Sequence, residues 1–139
     1  MDVKKLGIAI LATYVFLLVT NYLIHAVWLM PVYQESQSSW RPLEDIVRKT
    51  WILWIGQLVF AAAFCYIYTR GLEAKHWMGQ GLRYGILMAL LVAIPATLNN
   101  YVVYRVRYPL ALEWMAAGAV QMMVMGFIVA AIYRKHSID

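Results

Sequence analysis

Asn21 and His25 stand four residues apart in the run TNYLIHAVW, residues 20–28, inside an otherwise apolar stretch. An amide and an imidazole at that spacing share one helix face. They can exchange hydrogen bonds, line a polar cavity or, through the imidazole, ligate a metal. Polar residues of the same kind recur at Thr20, Gln57, Thr97, Asn99, Asn100 and Gln121. Glu35, Arg105 and Arg107 stand at the edges of apolar stretches, where they would form a cavity rim. No Ser–His pairing, HExxH motif or phosphate loop accompanies them, and Glu44 and Asp45 are the only carboxylate pair. No catalytic residue and no metal site is therefore expected.

The elements that carry these residues follow from composition. Of 139 residues, 63% are apolar and 14% charged, against roughly 45–50% and about 25% in a soluble domain. The excess lies in four stretches, residues 6–30, 51–69, 84–104 and 110–133, whose only charged member is Glu113. Each approaches the ~20 residues that cross a bilayer as a helix, and helices satisfy their backbone amides where lipid offers no partner. The expected fold is an all-α integral membrane four-helix bundle, one domain over residues 1–139. Its spans are expected at about 6–30, 42–69, 81–104 and 110–133. The first run follows Lys4 and Lys5 like a signal peptide, but it is long and lacks a small-residue cleavage site. It is expected to be retained.

The net charge of +5 does not point to nucleic acid, because no basic stripe with interleaved aromatics lies outside the spans. It fits membrane topology instead. Lys4, Lys5, Arg70, Lys75, Arg83, Arg134 and Lys135 would lie on one side, and Arg41, Arg48, Lys49, Arg105 and Arg107 on the other. Seven against five places both termini in the cytoplasm. Aromatics crowd the span ends, including Tyr33, Trp40, Tyr104 and Trp114 at one side, as an interfacial belt would. Cys65 is the only cysteine, so it closes no disulfide within the chain and is read as a packing residue.

Connections differ in length. Residues 31–50 form a long polar segment, in which Ser39, Pro42, Glu44 and Asp45 mark a helix start near Arg41 or Pro42. RVRYP is short enough to force the third and fourth spans antiparallel. In the third span, Gly81, Gly85, Ala89 and Ala93 recur every four residues, a ribbon that lets another helix backbone approach. Gly118 and Gly126 make a looser version in the fourth. Packing within one bundle is the simpler use of both, with a homo-oligomer face as the alternative. NYLIHAVWLMP (21–31) and NYVVYRVRYP (100–109) echo each other. Duplication of a helix hairpin in the same sense would explain it, although apolar spans also resemble one another by composition.

Every span carries its amide or imidazole groups between the midpoint and the same end. One reading makes Thr20, Asn21, His25, Gln57, Thr97, Asn99, Asn100 and Gln121 hydrogen-bond partners across helices, each bond worth about 0.6 kcal/mol. Pro95 fits that reading, since it frees the carbonyl of Leu91 and kinks its helix. The other makes them the lining of a ligand cavity, a common role of intramembrane polar groups. His25 offers a third option as an axial ligand to haem or chlorophyll, but His76 and His136 lie at the opposite edge. No cofactor is otherwise expected. The leading functional expectation is an accessory or scaffolding protein that packs in the lipid bilayer with itself or with a larger membrane complex. Binding or transport of a small solute or ion through the polar cavity is the alternative.

The layout of NYLIHAVW, a polar WRP segment, GLRYG opening the third span and AIYR closing the fourth resembles small bacterial four-span inner-membrane proteins of uncharacterised families. The resemblance covers most of the chain and implies a bacterial inner-membrane location; it implies no activity or cofactor. Small multidrug exporters need a glutamate in the first span, which is missing here. Glutathione-binding four-span enzymes need an Arg–Asn motif after the second helix, and TRGLEAKHW does not supply it.

Overall fold

The computed structural model describes residues 2–36, 38 and 40–134. Ser39, Lys135 and His136, used above, lie outside the described residues. Helix α1 (Val3–Asn21) continues without interruption as a π-helix over Tyr22–Trp28, and the short α2 (Met30–Glu35) follows. Then come α3 (Leu43–Arg70) and α4 (Trp77–Met88). A second π-helical segment, Ala89–Ala93, joins α4 to α5 (Ile94–Val103), and α6 (Tyr108–Tyr133) closes the bundle. No strand occurs among the described residues.

Four helices are long and apolar enough to cross a membrane: Val3–Trp28, Leu43–Arg70, Trp77–Val103 and Tyr108–Tyr133. With 26 to 28 residues each, they are ~40 Å long at 1.5 Å per residue and exceed the ~30 Å hydrocarbon core. The chain is a multi-pass membrane protein of the all-α, four-helix-bundle class. Its boundaries fall within four residues of those expected from the sequence. Four crossings put the start of α1 and the end of α6 at one end of the bundle, the terminal end. The long 36–42 connection and the Tyr104–Arg107 turn lie at the other, the loop end.

Local chemistry explains the helix starts. The Asp2 carboxylate accepts from the Lys5 amide at 3.1 Å and caps α1. Helix α3 begins at Leu43, immediately after Pro42 in extended conformation, with Glu44 and Asp45 in its first turn, where the helix dipole favours acids. Pro109 sits in the first turn of α6, where its missing N–H is no loss.

Both π-helical segments run up to a proline. A proline removes one i→i−4 hydrogen bond, and its ring clashes with the carbonyl four residues back. Before Pro31, the Leu29 amide donates to Ile24 O at 2.9 Å, five residues back. Before Pro95, the Ile94 amide reaches Ala89 O, again five back. The wider turn absorbs the misfit, keeping the helix continuous through Pro95, while a bend at Leu29 separates the first π-helix from α2. Pro95 thus acts through a π turn, and the π turn at His25 was not legible from Pro31. The two echoing stretches adopt different backbones: 21–31 passes through the π-helix into α2, whereas 100–109 ends α5, bends at Tyr104 and opens α6.

Helix α6 is the hub, packing on α1, α4, the Ala89–Ala93 segment and α5, while α3 packs on α1. The small-residue ribbon lies against α6. A Cβ built on Gly81 would sit 2.7 Å from Gly126 O, and one on Gly85 2.5 Å from Met123 Cα. A Cβ on Gly118 would sit 3.1 Å from Ala93 Cβ. Only residues without a side chain allow such an approach, so this ribbon is occupied by the chain's own fourth span. At the terminal end Phe64, Cys65, Met125, Val129 and Ala130 are fully buried. There Tyr84 Oη donates to Phe64 O at 2.5 Å, and Thr13 Oγ1 meets Cys65 Sγ at 3.3 Å. The loop-end half of α3 is different: Trp51, Ile52, Leu53, Trp54 and Ile55 are all exposed.

Candidate functional site

Between the π-helical part of α1, α5 and α6, the loop end holds a half-open cavity of about 250 Å³. Its walls are Ile24, His25, Ala96, Thr97, Asn100, Trp114, Ala117, Gly118 and Gln121. Small residues on the wall, Ala96, Ala117 and Gly118, leave the space open. Four residues singled out in the sequence, His25, Thr97, Asn100 and Gln121, share this cavity.

Two hydrogen-bond systems hold the walls. Gln121 Nε2 donates to Thr20 Oγ1 at 2.7 Å and to Asn21 Oδ1 at 2.9 Å, tying α6 to α1. Thr20 Oγ1 in turn donates to Phe16 O at 2.8 Å. Thr20 and Asn21 therefore stand behind the wall and orient Gln121. In the second system, Tyr33 Oη lies 2.7 Å from His25 Nδ1 and accepts from Trp114 Nε1 at 2.8 Å. Thr97 Oγ1 is engaged within its own helix, donating to Ala93 O at 2.9 Å.

Above the cavity, α2 and the residues after it form an aromatic cap. Tyr33 meets Trp40 edge-on at 5.3 Å between centroids, and Trp40 meets Trp114 edge-on at 5.9 Å. Trp40 also stacks on Tyr104 at 6.4 Å, and its indole N–H donates to Ser36 Oγ at 3.0 Å. At the rim Arg107 pairs with Glu35 at 2.8 Å, linking α2 to the α5–α6 turn. Arg105, in the same turn, is exposed.

Gln57 and Asn99 are not on the cavity wall. Gln57 is half-buried on α3 with its Oε1 making no hydrogen bond, and Asn99 is exposed on α5. Their depth in the spans suited a cavity; the rotation of their helices does not. The aromatic members were missed in the opposite sense. Tyr33, Trp40, Tyr104 and Trp114 read as a generic interfacial belt, and only tertiary contact makes three of them a cap on His25 and Trp114. The placement of Tyr33 and Trp40 within a polar connection was the available signal.

No ionised side chain lines the cavity. Its polarity comes from an imidazole, two amides, a hydroxyl and an indole. Burial raises the Tyr33 phenol above its ordinary value, the hydrogen bond from Trp114 opposes this and the Glu113 charge adds to it. Tyr33 is thus a neutral phenol near pH 7. Such a wall can hold an uncharged molecule by directed hydrogen bonds, but it offers no counter-charge to an ion. No family model matches the sequence, and no curated protein or solved structure matches it either.

Proposed function

We propose that this protein binds a small uncharged polar solute in the loop-end cavity. The observation that supports the reading is the cavity itself: about 250 Å³ lined by His25, Asn100 and Gln121, just under the roughly 300–1,000 Å³ of small-ligand pockets. Purely structural polar residues would pair with one another and close the space between them. Here Gln121 is braced from behind, His25 is braced from above, and Asn100 makes no hydrogen bond to another described side chain. Binding fits better than charge-coupled transport, because no carboxylate or lysine lines the cavity. We further propose a bacterial inner-membrane location with both termini cytoplasmic, supported by six described cationic residues at the terminal end (Lys4, Lys5, Arg70, Lys75, Arg83 and Arg134) against five at the loop end.

Asn100→Cys in a Cys65→Ala background tests the reading with a membrane-impermeant thiol reagent on intact cells. Labelling of Asn100→Cys together with a Ser38→Cys control is expected. Labelling of the control alone would sink the outward-open cavity.

An accessory or scaffolding role is the second reading, supported by the loop-end half of α3, whose apolar residues 51–55 are exposed among the described residues. Photo-crosslinking from Trp54 to another protein would favour it, and crosslinking to lipid alone would remove it. A tetrapyrrole on His25 Nε2 is a third reading, settled by the presence or absence of a Soret band in the purified protein.

A further inference from the structure

Counting protons along the two systems that brace the cavity favours one polarity for its hydrogen-bonding groups. The Trp114 indole can only donate, so Tyr33 Oη accepts from it across 2.8 Å. The phenol has one proton of its own, and His25 Nδ1 lies 2.7 Å away. Donating that proton to Nδ1 keeps both rings paired, whereas an Nδ1–H would leave the phenol proton to solvent. A neutral imidazole that accepts at Nδ1 carries its proton on Nε2. His25 therefore presents an N–H donor as its remaining polar atom.

Gln121 is the mirror case. An amide nitrogen has two protons, and both are used, one on Thr20 Oγ1 at 2.7 Å and one on Asn21 Oδ1 at 2.9 Å. What Gln121 has left is its carbonyl Oε1, an acceptor. Reversing either system costs a hydrogen bond unless its partner groups reverse with it. Flipping the Gln121 amide would set its oxygen against Asn21 Oδ1, and moving the His25 proton to Nδ1 would leave the Tyr33 proton without its acceptor. Asn100 carries both a donor and an acceptor and adapts to either.

We propose, resting on the reading of the cavity as a binding site, that its ligand is an uncharged hydroxy-carbonyl compound. The carbonyl accepts from His25 Nε2–H and the hydroxyl donates to Gln121 Oε1. A polar site rejects a molecule that leaves its donor or acceptor unpaired far more strongly than one differing in apolar size. The shared chemistry is that of a small hydroxy ester or ketone, or of a neutral glycerolipid headgroup entering from the bilayer.

The test has two arms on the full chain in nanodiscs. With ¹⁵N-labelled histidine and His25→Gln to assign the signal, His25 at pH 8 should show a protonated Nε2 and an unprotonated Nδ1. Tyr33→Phe should turn it into a mixture of tautomers. A protonated Nδ1, or a mixture in the unaltered protein, overturns the proposal while leaving the cavity reading intact. In the second arm, thermal shift is measured with glycerol monoacetate, which has both groups, with glycerol and triacetin, which have one each, and with acetate. Glycerol monoacetate should act at roughly tenfold lower concentration than the other neutral probes, and acetate should have no effect. Adding monoacylglycerol or free monoacetate separately distinguishes a lipid from a soluble source. Equal potency of the neutral probes, or a preference for acetate, overturns the proposal. The expected tautomer with no shift from any probe overturns the cavity reading and this proposal with it.

Discussion

Gly81 on α4 and Gly126 on α6 face each other so closely that a Cβ on Gly81 would lie 2.7 Å from the Gly126 carbonyl oxygen. A Cβ on Gly126 would in turn collide with Gly81 O. The obstacle on both sides is backbone, which cannot rotate away. This contact fixes the crossing of the third and fourth spans, and the cavity lies further along the same pair of helices.

Gly126→Ala is accordingly expected to destabilise the protein by about 1–3 kcal/mol, the range for overpacking a well-filled interior. Gly56→Ala is the contrast, since a Cβ there meets nothing within 4 Å. It should be neutral or stabilising by up to about 1 kcal/mol, as removing a helical glycine usually is. Unfolding in mixed micelles under increasing denaturing detergent measures both. Equal effects would mean that the close approach is not the controlling feature.

At the terminal end, Tyr84 Oη donates to Phe64 O from one span to another. Interhelical hydrogen bonds in membranes average about 0.6 kcal/mol and reach about 1.7. Tyr84→Phe keeps the ring packing against Phe64 and Tyr68 and removes only the hydroxyl. A loss within that range is expected in the same assay. A loss well beyond it would show that the hydroxyl does more than bridge these helices.

The rim pair is expected to matter little for stability. Arg107 and Glu35 are 2.8 Å apart, but their side chains are 63% and 66% exposed. Exposed pairs contribute roughly 0.2–1 kcal/mol and weaken with salt. A double-mutant cycle over Glu35→Gln and Arg107→Gln should return a coupling in that range that fades at high ionic strength. Salt-independent coupling above about 2 kcal/mol would instead mark the pair as a buried latch of the aromatic cap.

Tyr33 sets a pH limit on the bracing of His25. Burial, the largest influence, raises its phenol above the ordinary 10.0. A raised value means that the folded state favours the protonated form. The associated stability is present below pH 10 and is lost as pH rises through the higher folded value. Ultraviolet titration of the protein minus that of Tyr33→Phe should place the Tyr33 midpoint above 10.0. A midpoint at or below that value would mean the phenol is not held as described.

Composition and helical period were enough to identify four helices long and apolar enough to cross a membrane and to show that polar residues gather toward one end. The ribbon of Gly81, Gly85, Ala89 and Ala93 was legible for the same reason: hydrophobicity and small-residue spacing are properties of neighbours in the chain. Which polar residues meet was decided only by tertiary structure. Gln121 and Asn21 are 100 positions apart, and their contact depends on the rotation of α6 against α1, which no local pattern encodes. The rotations of α3 and α5 leave Gln57 and Asn99 off the wall, while that of α6 brings Trp114 to Tyr33. Both π turns answer to the prolines that follow them, yet where the backbone widens depends on the packing around it. Side-chain depth follows from counting along a helix; side-chain direction follows from what the helix packs against.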